Sequence, residues 1–166
     1  MIPRRAAAAV AALLVAACAA SAPDPGKVVA IERLCDEPDD TRVRLTGWLR
    51  YRRGLMSFCQ TFGGRETCDL ALYATAEAPT DFDVMRPQTG PEPAHARLSV
   101  PVGGSPGQMD DLPERFLPSD VKLRLEGGGV ATEGTRVTID GKLSVIPGGD
   151  APKSCYVDVE WAQPAG

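Results

Sequence analysis

The chain has 166 residues, a formal net charge of −4, 5% aromatic side chains, 17 glycines and 15 prolines. This length suffices for one domain with a hydrophobic core, and the glycine and proline content favours short strands joined by turns over long helices. The acidic balance argues against nucleic acid as a partner, although a local basic patch is compatible with it.

The first 17 residues are organised like a signal peptide. Arg4 and Arg5 precede the apolar run Ala6–Ala17, which is too short to span a bilayer. The run ends in Val-Ala-Ala-Cys at residues 15–18, which resembles the bacterial lipobox. The resemblance implies cleavage before Cys18, lipidation of Cys18 and a membrane anchor on the periplasmic side of the cell envelope.

Two alternatives concern this leader and its destination. Ordinary cleavage after Ala20-Ser21-Ala22 would give a secreted protein, but Pro23 would then follow the cut, which is unfavourable. If Cys18 is lipidated, the residue after it is Ala19 and not Asp, and the lipoprotein sorting rule then favours the outer membrane. We expect residues 18–27 to form a flexible tether and residues 28–163 to form the folded domain.

Five cysteines are an odd number for an exported protein, and a lipidated Cys18 accounts for the fifth. The other four permit three pairings. We expect Cys59–Cys68, closing a short hairpin, and Cys35–Cys155, joining the first ordered segment to the last. Buried free thiols are the alternative. The chain has no C-x-x-C pair and one histidine, so we predict neither a metal site nor a cofactor.

The segment Thr41–Arg53 predicts a long strand with one buried face, because apolar and polar residues alternate along it. Gly47 interrupts its middle, where a glycine indicates a bulge or sharp bend. The same V-x-hydrophobic-x-G-x-L pattern recurs at Val137–Leu143 with Gly141. A strand bent at its midpoint can pair on both sides of a small barrel.

The remaining chain predicts further strands and turns in sequence. The segment Val28–Leu34 fits either a short strand or a helical turn, and Gln108–Leu117 predicts one or two helical turns. Long loops are expected at Gly54–Thr67 and Glu77–Ala94. The other predicted strands are Cys68–Ala74, Arg97–Val102 (ending at Pro101), Val121–Glu126, Arg136–Ile146 and Cys155–Trp161.

This order of mostly β elements resembles the OB-fold, a small five-stranded Greek-key barrel. The resemblance rests on Val43, Leu45, Gly47 and Leu49, on Gly134 with Val137, Ile139 and Gly141, and on the final strand. It implies a barrel of five to six strands with one short helix, and ligands on the face of the second and third strands. Val121–Glu126 is an extra strand in that pattern, either a barrel strand or an insertion. An immunoglobulin-like sandwich is the competing fold.

The outward face of the first long strand carries the candidate ligand-binding residues Arg44, Trp48, Arg50 and Arg52, beside Arg42. An aromatic ring among guanidinium groups suits an anionic ligand such as a lipid headgroup, a glycan acid or single-stranded nucleic acid. The alternative is a solvated face whose arginines pair with carboxylates.

Catalytic patterns are weak in this sequence. Asp110, Asp111 and Glu114 could serve a small hydrolase or simply form a solvated acidic turn, and His95 has no spaced partner. The acidic residues of 36–40 lack the spacing of an EF-hand loop. We therefore expect a non-enzymatic binding or interaction module of the cell envelope, tethered by lipid, with an envelope protein or a small anionic ligand as partner.

Overall fold

The computed structural model describes residues 22–51, 59–77, 94–148 and 153–166. The predicted signal peptide, Cys18 and Arg52 lie outside these ranges, as does most of the predicted loop at 77–94. Within the described ranges there are nine strands: β1 Lys27–Val28, β2 Arg42–Tyr51, β3 Cys59–Phe62, β4 Arg65–Tyr73, β5 His95–Pro101, β6 Leu123–Arg124, β7 Val130–Ala131, β8 Arg136–Ile146 and β9 Ser154–Pro164. Short 3₁₀ helices occupy Ile31–Asp36, Pro118–Asp120 and Glu126–Gly128.

Five of these strands close into a barrel in the order β2–β8–β9–β5–β4, with β4 returning to pair with β2. All pairings in the ring are antiparallel except β5 with β9, which run parallel. The strands β1 and β3 extend the sheet beyond the ring. The predicted mostly β, OB-like barrel is therefore confirmed.

Strand β2 changes partner at its midpoint, as the position of Gly47 predicts. Residues Arg42–Trp48 pair with β8, and residues Trp48–Tyr51 pair with β4. A Cβ at Gly47 would lie 2.5 Å from the carbonyl oxygen of Tyr73, so only glycine allows the two backbones to approach this closely. In the echoing strand β8, the register with β9 shifts between Asp140 and Gly141.

The barrel interior is filled by the apolar residues of the alternating patterns, including Val43, Leu45, Leu70, Leu98 and Ile139, which are at most 2% exposed. The segment left open in type by the sequence forms β1 followed by the 3₁₀ helix Ile31–Asp36. This helix buries Ile31 and Leu34 in the same core and contacts β2, β5 and β9. The predicted disulfide Cys35–Cys155 is present and joins the helix to β9.

Three sequence predictions are corrected by the structure. The segment Gln108–Leu117 is not helical, because Met109 is fully buried and its backbone N–H donates to the carbonyl of Pro101, which holds the segment extended. The strand at Val121–Glu126 is reduced to β6, which pairs with β7 and bridges to Met109 but is not a strand of the five-stranded ring. The predicted loop Gly54–Thr67 contains β3 and the start of β4.

Candidate functional site

A groove of about 460 Å³ lies on the outer surface of the barrel, across β3, β4, β5 and β9. The strands β4 and β5 are the second and third strands of the ring, the face on which OB-folds bind their ligands. The hairpin β3–β4 borders one side of the groove, and the facing ends of β8 and β9 border the other. The lining residues are Gln60, Arg65, Thr67, Asp69, Arg97, Ser99, Ile146, Tyr156 and Asp158.

Strand register brings the groove residues together. Asp69 on β4 pairs with Ser99 on β5, and Ser99 pairs in turn with Asp158 on β9, so these three residues form a row across the strands. Arg97 and Tyr156 form a parallel row, two residues along. Because side chains alternate between faces, all five point outward while Leu70, Leu98 and Val157 fill the core. Neighbouring strands lie about 4.8 Å apart, so each row places a polar group every 5 Å or so.

The charges of the groove are balanced. Arg65 and Arg97 contribute two cations, and Asp69 and Asp158 contribute two anions. The contact between Arg97 and Asp69 is long, 3.6 Å, and each side chain is about half exposed, so this pair is weak and both groups can bind other partners. The hydroxyl of Ser144 donates to Asp158 at 3.3 Å, which leaves acceptor positions on that carboxylate.

The hairpin wall of the groove is held by the second predicted disulfide, Cys59–Cys68, which is present. The two cysteines are direct cross-strand partners in β3 and β4, and the neighbouring pair is Gln60 with Thr67. Gly63 and Gly64 form the turn with positive φ of 58° and 80°, a backbone conformation that glycine adopts readily. The disulfide thus fixes Gln60 and Thr67 relative to each other at the groove edge.

Arg44, a candidate ligand-binding residue, already has an anionic partner within the protein. Its Nε and Nη2 donate to both carboxylate oxygens of Asp140 on β8, at 2.6 to 3.1 Å. The hydrogen bond to Asp140 raises the pKa of Arg44, and Asp140 is 2% exposed. An external anion at Arg44 would have to compete with this buried carboxylate.

The other residues of that face are not gathered into one open site. Arg50 is 8% exposed, and its guanidinium donates to the backbone carbonyls of Leu49 and Ala76. Trp48 is half-buried at the point where β2 changes partner. Arg42 forms an ion pair with Glu160 at 2.5 Å. In the structure, Arg44 therefore pairs with a carboxylate and Arg50 donates to backbone carbonyls. The pairing of Arg44 agrees with the alternative that the arginines of this face pair with carboxylates of the protein.

Several of the acidic residues singled out in the sequence have partners within the protein. Asp110 forms an ion pair with Arg124 at 2.6 Å, and Asp39 accepts a hydrogen bond from the backbone N–H of Val145. Lys142 contacts Asp40 at 2.7 Å, which raises the pKa of this lysine. Within the described residues no group of three or more potential metal ligands is found.

His95 is placed at the start of β5, opposite Tyr73 of β4. The two rings stack with centroids 4.9 Å apart, so His95 serves here in packing between the strands.

Sequence reasoning missed the groove residues themselves. The outward positions of three correctly predicted strands are occupied by Asp69, Ser99 and Asp158. These residues form one site only because the pairing register of strands far apart in sequence aligns them. The signal that could have found them was the resemblance to the OB-fold, which points to the second and third strands of the ring rather than to the first.

No described helix is long and apolar enough to cross a membrane. No protein-family model matches the chain, and none of the curated proteins matches it.

Proposed function

We propose that this protein is a lipid-anchored, exported binding module of the cell envelope, and that it holds its ligand in the groove on β3, β4, β5 and β9. The observation that carries the proposal is the groove itself, with a volume of about 460 Å³, framed by two hairpins on the ligand face of an OB-like barrel and lined largely by polar and charged residues.

Export is supported by the cysteines. Four of the five form two disulfides, which persist in oxidising compartments such as the periplasm. The pairing leaves Cys18 as the single remaining cysteine of the sequence, at the last position of the lipobox-like segment. Lipidation of Cys18 with more than one acyl chain would anchor the barrel without any transmembrane helix, since a single chain binds a bilayer only weakly.

The chemistry of the groove suits a ligand rich in hydroxyl groups and of little net charge, such as a neutral glycan. The two carboxylates would repel a polyanion, and the two guanidinium groups would repel a polycation. Hydroxyl groups can donate to Asp69 and Asp158 and accept from Arg65 and Arg97, while the ring of Tyr156 offers an apolar surface to a sugar face. An anion at Arg44 is the weaker candidate because Asp140 already occupies that guanidinium.

The anchor is tested by labelling growing cells with radioactive palmitate. We expect incorporation that disappears in a Cys18→Ala variant, and a labelled Cys18→Ala chain would refute the anchor.

The groove is tested by titrating the isotopically labelled protein with a panel of defined neutral and anionic oligosaccharides while recording amide chemical shifts. We expect neutral members to shift the amides of β4, β5 and β9. Asp69→Asn and Tyr156→Ala should weaken binding at least ten-fold, whereas Asp36→Asn, which changes an exposed aspartate in an ion pair elsewhere, should not. Equal binding by all three variants would remove the groove as the site.

A further inference from the structure

The segment between the lipidation position and the barrel is fastened to the barrel surface before the barrel begins. The strand β1, Lys27–Val28, pairs in parallel with Val43 and Arg44 of β2. The next residue, Val29, donates its backbone N–H to the carbonyl of Arg44 at 3.1 Å. The last residue of the predicted tether, Lys27, is therefore part of the sheet.

Gly26 adds a second attachment. Its backbone N–H donates to Asp140 at 3.0 Å, on the same carboxylate that pairs with Arg44. A Cβ at Gly26 would lie 2.5 to 2.7 Å from backbone atoms of Val43, so only glycine allows the chain to lie this close to β2. The ion pair between Lys27 and Glu37 at 2.7 Å lies at the same junction.

The attachment has no role in closing the barrel, which is complete through the pairing of β2 with β4. Without it, the next fixed point of the chain would be Ile31, whose side chain is buried in the barrel core. The contacts at residues 26–29 thus move the first fixed point five residues towards the N-terminus.

That displacement changes how far the barrel can extend from a membrane. Gly26 is eight residues beyond Cys18, and eight extended residues reach at most about 30 Å. From Cys18 to Ile31 there are 13 residues, which would reach about 45 Å. A domain of this size is roughly 35–40 Å across, so the shorter length is less than one barrel diameter.

We propose that residues 26–29 act as a strap, here called the N-terminal strap, that holds the barrel against its membrane and confines it to ligands in the layer next to the bilayer. The membrane part of this inference rests on the proposed anchor at Cys18, whereas the strap itself rests on Gly26, Asp140 and β1. Three residues before the strap, Pro23 forms one wall of a second groove of about 580 Å³ whose other walls include Pro106 and Trp161.

The strap is tested with a lysine-specific endoprotease on the full mature chain purified in detergent and reconstituted into phosphatidylethanolamine–phosphatidylglycerol vesicles. Lys27 is the first lysine of the chain, so cleavage after it separates residues from Val28 onward from the N-terminus, and mass spectrometry identifies that product. A backbone held in a sheet is cleaved slowly because it must first open locally. We expect Gly26→Ala to be cut after Lys27 at least ten times faster than the wild type.

The control is Gly104→Ala, since a Cβ at Gly104 meets no atom within 4 Å, and it should be cut at the wild-type rate. Wild-type cleavage after Lys27 as fast as in Gly26→Ala would overturn the strap. If Gly26→Ala does not fold, hydrogen exchange of the Val29 amide in the wild type decides instead. Slow exchange supports the strap, and exchange at the rate of an unfolded peptide overturns it.

The anchor and the strap fail in distinguishable ways. Loss of the acyl chain appears as a missing lipid mass on the N-terminal fragment, and it would overturn the membrane confinement even with Lys27 protected. Rapid cleavage of Lys27 in an acylated chain would overturn the strap and leave the anchor standing.

Discussion

Arg44 and Asp140 face each other across β2 and β8, and three N–O contacts of 2.6 to 3.1 Å join their side chains. The carboxylate also accepts from the backbone of Gly26, so one buried group connects β8, β2 and the N-terminal strap. The guanidinium remains 28% exposed while the carboxylate is 3% exposed. Removal of either partner therefore affects both the barrel and the strap.

We predict that Asp140→Asn lowers the free energy of unfolding by about 2–4 kcal/mol, because it leaves the Arg44 charge partly buried without its counter-ion. Urea denaturation of the oxidised protein measures this. The control is Asp36→Asn, which removes an exposed pair with Arg33 and should cost less than about 0.5 kcal/mol. Equal stability of the two variants would contradict the structural role of Asp140.

The pKa of Arg44 gives the sign of the pH dependence. A raised pKa means that the stability contributed by the arginine is fully present below its ordinary pKa and is lost only as pH rises through the higher pKa of the folded state. We therefore expect the Arg44 charge to contribute equally at about pH 7 and about pH 10. A contribution of Arg44, measured as the stability loss in Arg44→Met, that falls across this interval would contradict the assignment.

Gly47 should be among the least replaceable residues of the barrel. We predict that Gly47→Ala destabilises the protein by about 3 kcal/mol or prevents folding, since the new methyl would collide with the backbone of Tyr73 as well as the side chains of Ile31 and Leu72. Thermal unfolding measures the loss. Gly104→Ala, which meets open space, should unfold within a few degrees of the wild type.

The two disulfides should differ in how much they stabilise the fold. The chain-entropy model gives about 5 kcal/mol for Cys35–Cys155, which encloses 120 residues, and about 2.5 kcal/mol for Cys59–Cys68, which encloses nine. We predict that the double serine variant at Cys35 and Cys155 is the less stable in guanidinium denaturation. The reverse order of stability would show that the hairpin disulfide stabilises the fold by more than the entropy of loop closure.

The Cys59–Cys68 disulfide should matter more to the groove than to the barrel. The double serine variant at these positions frees Gln60 and Thr67, which line the groove edge, while the pairings of the ring remain. We predict a loss of groove binding of at least five-fold in the oligosaccharide titration with the β2–β8 amides unshifted. Unchanged binding would show that the hairpin holds its position without the covalent link.

A variant at Arg50 distinguishes the two surfaces considered for binding, which are the groove and the outward face of β2. Because the Arg50 guanidinium donates to the carbonyls of Leu49 and Ala76, we predict that Arg50→Met costs about 1–3 kcal/mol of stability, mainly through the Ala76 carbonyl, since the Leu49 carbonyl still accepts from the N–H of Gly134. It should leave groove binding unchanged within two-fold. Loss of binding with full stability would restore β2 as a ligand surface.

The spacing of apolar and polar residues along the sequence predicted much of the fold but little of the candidate site. The strands β2, β4, β8 and β9 follow from alternation, and the mid-strand position of Gly47 follows from the repeated motif, because each depends only on residues a few positions apart. The helical turns at Gln108–Leu117 were wrong because burial of Met109 against the barrel outweighed local spacing.

By itself, the sequence determined the outward and inward faces of the predicted strands and the kind of barrel that bent strands can close, whereas it favoured one of three cysteine pairings that the structure then showed. The tertiary structure alone decided that Asp69, Ser99 and Asp158 form one row, that Arg44 is neutralised by Asp140, and that residues 26–29 lie along β2. The physical reason is that a side chain's face is set by backbone geometry over two residues, whereas its neighbours across the sheet are set by a register that only closure of the whole barrel specifies.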